Sequence, residues 1–194
     1  MEKVISIVGA GGKTTLVHKL AREYHRRGKG VLVTTTTHMY VEADTDLSCD
    51  FFSLRDKIIK DGYCMAGQKI SEQSKPKMCG LPYDLFDKLI KDMPQALDYV
   101  IIEADGAKHH SLKYPAADEP VIYPLTTDVI IVLGTWEKGK LCKDVVFRYE
   151  LMQNELGMAE DVVVDDSVID TLRQVYVKKL RDSGFEGRIS TYYR

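Results

Sequence analysis

The chain has 194 residues, of which 44% are hydrophobic, enough for one well-packed core and too few for two domains of ordinary size. Charged residues make up 29% of the chain but nearly cancel, leaving a formal net charge of -2. A broad electrostatic attraction to nucleic acid or to an anionic membrane is therefore not expected, and we predict a single domain over residues 1–194 with neither partner.

The N-terminal part of the chain predicts a strand followed by a helix. A short β-branched run, Val4–Val8, is interrupted by Gly9 before it attains the length of a signal-peptide core or a membrane span, which favours a soluble cytoplasmic protein. Beyond the glycines, apolar residues recur every three to four positions and predict a helix that ends near Gly28. These residues are Leu16, Val17, Leu20, Ala21 and Tyr24.

A second buried strand is predicted at Val31–Val33, and it continues into the polar segment Thr34–Thr37. Residues 40–97 have weaker patterns and could form an inserted subregion. Within them we predict a helix over Leu54–Lys60, a strand at Tyr63–Ala66, and a helix after Pro82 that carries Leu85, Leu89 and Ile90.

The last part of the chain continues the alternation of strands and helices, which indicates an α/β domain with a mainly parallel central sheet. The predicted strands are Asp98–Ile102, Val129–Leu133 and Val162–Val164, and the predicted helices are Val145–Leu156 and Val168–Leu180, with stops at Gly157 and Gly184.

The cysteines form no Cys-x-x-Cys pair, which gives no support to a zinc ribbon or a dithiol redox motif. We expect free thiols in a reducing compartment. The cysteines are Cys49, Cys64, Cys79 and Cys142.

The segment Gly9–Thr15 lies between the first strand and the first helix, where a phosphate-binding loop belongs. Its glycines let backbone N–H groups approach phosphates, and the helix N-terminus adds a partial positive charge. Lys13 would neutralise the β- and γ-phosphates, and Thr14 would hold Mg²⁺. The residues predicted to bind the nucleotide are Gly9, Ala10, Gly11, Gly12, Lys13, Thr14 and Thr15.

The loop departs from the usual eight-residue pattern, because Ile7 stands where that pattern has its first glycine. The shorter Gly-x-x-Gly-Lys-Thr-Thr form resembles the loop of the Mur ligase and folylpolyglutamate synthetase group. A ligase or small-molecule kinase is therefore an alternative to a hydrolase, and a glycine-rich turn with a solvated lysine is the non-functional alternative.

Two carboxylates, Glu103 and Asp105, follow the strong strand Asp98–Ile102 and are expected beside the phosphate loop. One could order a Mg²⁺-bound water while the other orients the attacking group, and both would share a face if the strand continued. We predict Lys13, Glu103 and Asp105 as catalytic. The alternative is a polar strand end that caps a turn at Gly106.

The threonines at the end of the second strand could supply a hydroxyl to the Mg²⁺ shell or sense the γ-phosphate, although threonines are also good strand formers. The predicted metal ligands are Thr14, Thr35 and Asp105. Three histidines could bind metal or phosphate, but no ligand spacing joins them, which favours solvated side chains. They are His38, His109 and His110.

Lys108 and Lys113 belong to a charged loop that could meet the triphosphate or an acceptor, although a solvated loop is the favoured interpretation. No Asn-Lys-x-Asp segment that would recognise guanine is present. ATP is therefore the expected nucleotide, with GTP kept as an alternative.

Five segments follow one another over most of residues 4–134: VGAGGKTTL, VLVTTTTHM, VIIEADGAKHHSLKYPA, DEPVIYP and DVIIVLG. Their combination resembles the family of selenium-dependent hydroxylase accessory proteins. The resemblance implies a three-layer P-loop NTPase-like fold and a role in maturing a selenium-dependent molybdenum hydroxylase. It assigns the residues from Gly11 to Thr15 to the nucleotide, and Glu103 and Asp105 to metal or catalysis.

We therefore expect an accessory NTPase with slow turnover that binds Mg²⁺ and ATP and acts on a client molybdenum hydroxylase or its maturation factors. The ligase or kinase remains the first alternative. A nucleotide-gated binding module, in which Thr34–Thr37 rearrange around the γ-phosphate, is the second.

Overall fold

The computed structural model describes residues 1, 3–70, 76–108 and 110–194. The strands of this part of the chain are β1 (Lys3–Gly9), β2 (Val31–Thr35), β3 (His38–Tyr40), β4 (Thr45–Asp46), β5 (Tyr63–Ala66), β6 (Gln68–Lys69), β7 (Lys77–Cys79), β8 (Tyr99–Glu103), β9 (Leu112–Lys113), β10 (Asp128–Leu133), β11 (Val146–Phe147) and β12 (Arg188–Tyr193). The helices are α1 (Lys13–Arg26), α2 (Phe51–Asp61), α3 (Tyr83–Asp92), α4 (Cys142–Val145), α5 (Tyr149–Leu156) and α6 (Asp166–Asp182), and a 3-10 turn covers Thr135–Glu137.

The central sheet has seven strands in the order β12-β10-β1-β8-β2-β5-β4, and every pair is parallel. The predicted α/β class with a mainly parallel sheet is confirmed. In the register of this sheet, Ile7 on β1 is level with Glu103 on β8 and Ile130 on β10. Because parallel strands end at the same edge, the residues that follow β1, β8 and β10 meet there.

Helices cover both faces of the sheet, which gives three layers. Along β1, Ile5 and Ile7 belong to the core under α1, whereas Val4 and Val8 belong to the core on the opposite face. The strand is therefore buried on both sides, as its unbroken apolar run predicts. The second core includes residues of α2, α3, α5 and α6. None of the described helices combines the length and apolarity needed to cross a membrane.

A small antiparallel sheet of β3, β7 and β6 was not predicted. Its strands have only two or three residues, too few for an alternating pattern to be recognised. Met39 on β3 pairs with Met78 on β7, and both side chains are buried in the core under α1. The small sheet is thereby fixed beside the carboxyl end of β2.

The predicted helix Val145–Leu156 is wrong at its N-terminal end. Val145 ends α4, the next two residues form β11 against β9, and Arg148 has a positive φ of 65° before α5 begins. Strand pairing with a distant segment has overridden the helical periodicity here. The predicted strand Val162–Val164 is also wrong, because only Val163 makes an isolated bridge.

All four cysteines are free thiols, as predicted. Burial raises the pKa of Cys64 to about 12 and that of Cys142 to about 11. These two thiols therefore act as small packing groups in the core, because the reactive form of cysteine is the thiolate.

The substitution Leu172→Ala should test the packing of α6 on the sheet. Leu172 is fully buried, so its truncation should lower the free energy of unfolding by about 2–5 kcal/mol in urea denaturation followed by circular dichroism. Lys178 lies on the same helix with an exposed side chain, and Lys178→Ala should stay within about 0.5 kcal/mol of the parent. Equal stability of the two variants would contradict this packing.

Candidate functional site

The segment Gly9–Thr15, which we name the glycine loop, approaches two neighbouring backbones closely. Gly9, Gly11 and Gly12 have φ values of 89°, 85° and 115°. A Cβ at Gly9 would lie 2.3 Å from the carbonyl oxygen of Val132, and one at Gly11 would lie 2.5 Å from that of Ser111. Only glycine satisfies both constraints, so the loop is a built turn rather than a flexible tract.

The loop leads directly into α1, whose N-terminus has no side-chain cap among the described residues. The first amides of a helix have no partner within the helix, and here they belong to Lys13, Thr14 and Thr15. The same three residues line a cavity of about 770 Å³. The helix dipole adds partial positive charge at this point, so the arrangement can bind an anion.

The cavity lies along the carboxyl edge of the sheet and has three further walls. Residues of β3 and β7 line one side, residues 106–108 with His110 and Ser111 line another, and Trp136 with Arg194 line a third. Its volume is within the range of small-molecule sites, about 300–1,000 Å³. The cavity therefore has room for more than a phosphate group.

The Lys13 ammonium is almost fully buried at the cavity wall and donates a hydrogen bond to the carbonyl oxygen of Gly9 at 2.6 Å. Burial lowers the pKa of Lys13, and the carboxylates of Glu103 and Glu119 oppose that shift. The residue predicted to neutralise phosphate thus lies over the loop and beside the uncapped helix N-terminus.

Thr14 and Glu103 are brought together, as the motif and the strand end each suggested. The hydroxyl of Thr14 donates to Oε2 of Glu103 at 2.7 Å, and both residues line the cavity. A hydroxyl and a carboxylate are hard oxygen donors, which Mg²⁺ prefers. This pair is the part of the structure that could hold a divalent cation next to a phosphate.

Asp105 lies beneath the glycine loop instead of in the cavity wall. Because β8 ends at Glu103 and Asp105 has a positive φ of 104°, the two carboxylates do not share a strand face. Buried Asp105 forms an ion pair with Lys113 and accepts hydrogen bonds from Tyr176 Oη at 2.7 Å and Gly9 N at 3.4 Å. Its predicted metal and catalytic roles stay predictions.

Lys113 is fully buried, so the expectation of a solvated loop is wrong at this position. Its ammonium contacts Asp105, the carbonyl oxygen of Gly106 at 2.6 Å, and Oε2 of Glu119 at 2.8 Å. Glu119 also pairs with Arg148. Burial lowers the pKa of Lys113 to about 8, although Glu119 works against that shift. A chain of alternating charges therefore supports the loop from below.

The threonines at the end of β2 have separate roles. Thr35 is buried and its hydroxyl donates to the backbone carbonyl of Glu103 at 2.6 Å, which holds two strand ends together. Thr36 donates to the carbonyl oxygen of Val121, and Thr37 lines the cavity. The predicted metal role of Thr35 stays a prediction. Of these three threonines, Thr37 is the one that faces the cavity.

His38 and His110 both line the cavity, and the His110 ring stacks on Phe147 with 5.5 Å between centroids. His109 lies outside the described residues. Within residues 1, 3–70, 76–108 and 110–194, no group of three or more His, Cys, Asp and Glu side chains is arranged to hold a metal ion.

Sequence reasoning missed three residues of this region: Tyr176, Trp136 and Arg194. Tyr176 is one apolar-face residue among several on α6, and no local pattern distinguishes it. Trp136 lies three residues after the end of β10 and Arg194 directly follows β12, and the position near a strand end was the available signal for Trp136.

Comparison with known proteins places the chain in a family. Residues 5–150 match the family described as YqeC protein. The chain is also 32% identical over 170 residues to the uncharacterized protein YqeC of Escherichia coli (strain K12), covering 83% of this chain and 63% of that protein. The chain belongs to the YqeC family. The chain spans less than two thirds of the length of this YqeC relative.

The region shared with the YqeC family contains the glycine loop, Glu103, Asp105 and Trp136. Tyr176 and Arg194 lie beyond residue 150, outside that match. The candidate site therefore combines residues from the shared region with residues of the C-terminal part of the chain.

Acid should weaken the charge network through Glu119. Although burial acts in the opposite direction, hydrogen bonds from Arg148 and Lys113 hold the pKa of Glu119 at about 2, below its ordinary 4.5. A depressed carboxylate pKa contributes stability above pH 4.5, and this contribution is lost as the pH falls towards 2. The stability difference between the parent and Glu119→Gln should therefore shrink by about 2–3 kcal/mol over that window.

Urea denaturation at several pH values between 6 and 2 measures this difference. Glu160→Gln, which removes a surface pair with Lys143, is the matched control and should follow the parent curve. Parallel curves for the parent and Glu119→Gln across the whole range would exclude a stabilising carboxylate at this position.

Proposed function

We propose that this member of the YqeC family binds a Mg²⁺-nucleoside triphosphate at the glycine loop and hydrolyses it slowly, as an accessory protein in the maturation of a selenium-dependent molybdenum hydroxylase. The observation that carries the nucleotide part is a single cavity lined by the uncapped N-terminus of α1, Lys13, and the Thr14–Glu103 pair. The client is proposed from the sequence resemblance.

The amides at the start of α1 would receive the phosphates, with Lys13 as the charged donor. Its ammonium already points along the loop towards Gly9, so a phosphate oxygen would replace or share a backbone carbonyl as its partner. Hydrogen bonds from a charged donor to a charged acceptor are about twice as strong as neutral ones, which favours the exchange.

The donor set fits Mg²⁺ because Thr14 and Glu103 present a hydroxyl and a carboxylate 2.7 Å apart at the cavity wall. These two residues would hold the ion. When bound, Mg²⁺ would supply positive charge that neutralises the phosphates during phosphoryl transfer. Thr35 keeps the backbone of Glu103 in place through its hydrogen bond to that residue's carbonyl oxygen.

Slow turnover is expected from the positions of the two carboxylates that follow β8. Glu103 is engaged with Thr14, and Asp105 is paired with Lys113 beneath the loop. Each carboxylate therefore already has a protein partner, and Asp105 does not line the cavity. An accessory role fits such a site, because a client or partner could supply what speeds hydrolysis.

ATP is the proposed nucleotide, with GTP as the alternative. The ligase or small-molecule kinase remains a second candidate because the cavity extends from the glycine loop to walls that carry Lys77 and Lys108, where an acceptor could bind. Release of ADP that requires an added acceptor would favour this second candidate over the accessory NTPase.

Lys13→Ala should weaken Mg-ATP binding by roughly tenfold to a hundredfold, because a charge-assisted hydrogen bond contributes about 1.5–3 kcal/mol. Isothermal titration calorimetry measures the affinity. Lys19→Ala removes an exposed lysine from the same helix and should leave the affinity unchanged. A parent protein with no affinity for Mg-ATP or Mg-GTP, or a Lys13→Ala variant with parental affinity, would refute nucleotide binding at this loop.

Glu103→Gln should reduce the effect of Mg²⁺ on ATP binding, since it removes the charge of one proposed ligand. The affinity of the variant with Mg²⁺ should approach its affinity in EDTA, whereas the parent should bind at least tenfold more tightly with Mg²⁺. Glu42→Gln changes a carboxylate at another wall, where it pairs with His18, and should keep the parental response. An unaltered Mg²⁺ effect in Glu103→Gln would contradict the assignment.

A further inference from the structure

The wall of the cavity beyond the carboxyl ends of β10 and β12 carries an aromatic side chain that the proposed phosphate chemistry does not use. Trp136 belongs to the 3-10 turn that follows β10, and 47% of its surface is exposed although it lines the cavity. A large, half-exposed aromatic ring at a cavity wall offers a flat apolar face to a ligand.

Arg194 connects this ring to the glycine loop. Its guanidinium carbon lies 5.2 Å from the centroid of the Trp136 ring. A Cβ at Gly12 would lie only 2.6 Å from Nη1 of Arg194, so the same guanidinium also lies against the first turn of α1. A cation is thus placed between the phosphate-binding amides and the aromatic face.

The turn that carries Trp136 is anchored at both ends, and one anchor is the backbone of Arg194. The carbonyl oxygen of Arg194 accepts hydrogen bonds from the amide of Thr135 at 2.7 Å and from its hydroxyl at 2.6 Å. Glu137 is buried and accepts a hydrogen bond from Ser111 at 2.7 Å, which fixes the other end of the turn. The wall is therefore organised in advance of any ligand.

The strand order indicates which direction a nucleotide would take from the loop. Glu103 ends β8 on one side of β1, whereas Trp136 follows β10 on the other side. If Thr14 and Glu103 hold an ion next to the terminal phosphates, the remainder of the nucleotide would extend away from β8, towards Trp136 and Arg194.

A competing aromatic lies at the opposite wall. Tyr40 on β3 is 46% exposed, lines the cavity, and has the Lys77 ammonium 5.3 Å from its ring centroid. This pair is on the β2 side of the cavity, beyond Glu103, whereas Arg194 lies against Gly12 of the glycine loop. The Trp136 wall is therefore the better placed of the two.

We propose that Trp136 and Arg194 form the nucleoside subsite, in which the base stacks on the indole and the guanidinium spans the gap between base and phosphates. The proposal rests on nucleotide binding at the glycine loop. Stacking of a base on an aromatic ring and on an arginine plane tolerates any base, because every base has a π-face. The subsite would thus add affinity for a nucleoside without selecting adenine.

The test compares Mg-ATP with Mg-tripolyphosphate, which has the phosphates but no base. By calorimetry, the parent should bind Mg-ATP roughly tenfold more tightly than Mg-tripolyphosphate, the contribution expected of one stacked base. Trp136→Ala should remove this preference while leaving tripolyphosphate affinity within about twofold, and Trp136→Phe should restore most of it. Tyr40→Ala, matched in exposure, should keep the preference.

Trp136 is the only tryptophan of the chain, so its fluorescence reports this wall alone. Mg-ATP should quench the parental emission and Mg-tripolyphosphate should not. The subsite is refuted if Trp136→Ala keeps the preference, if Tyr40→Ala removes it, or if ATP and tripolyphosphate bind equally without quenching. A parent that binds neither ligand refutes the phosphate site itself, and the subsite with it.

Discussion

The buried side chain of Asp105 is the constraint on which the site depends. Burying a carboxylate costs free energy unless nearby opposite charges and hydrogen bonds compensate for its lost hydration. Here the compensating groups come from three separate segments: the amide of Gly9 at the end of β1, the ammonium of Lys113 on β9, and the hydroxyl of Tyr176 on α6. The glycine loop, the charge network and the C-terminal helix therefore form one structural unit.

Glu103 and Asp105 consequently have different surroundings, although they are only two residues apart. The end of β8 leaves Glu103 at the cavity with Thr14, and the positive φ of Asp105 turns the next carboxylate under the loop. A motif can identify both residues as important, because both follow a buried strand. It cannot show that Glu103 faces the cavity while Asp105 supports the backbone, since that depends on Lys113 and Tyr176.

The sequence predicted the elements whose own residues carry a sufficient signal. Long apolar runs identified β1, β2, β8 and β10, and helical periodicity identified α1, α2, α3 and α6. The strands of two or three residues, such as β9 and β11, exist only through pairing with each other and left no pattern. The edge strand Arg188–Tyr193 is mostly half-buried and mixes polar with aromatic residues, so its pairing with β10 was equally hidden. Within the candidate site, the local motif identified Gly9–Thr15. Arg194 carries no such motif, and only the fold brings it next to Gly12.

The position of Lys13 also limits how much this residue can contribute to the free energy of the proposed nucleotide binding. Its ammonium already has the carbonyl oxygen of Gly9 as a partner at 2.6 Å, so in the proposed complex the loss of that neutral acceptor would offset part of the gain from a charged phosphate oxygen. In the proposed complex, the rest would come from the helix amides, from an ion held by Thr14 and Glu103, and from contacts outside the loop. Arg194 lies against Gly12, where the helix begins, and adds a second cation without lengthening the short loop. A compact loop that lacks the first glycine of the longer pattern is thus supplemented from the neighbouring strand ends.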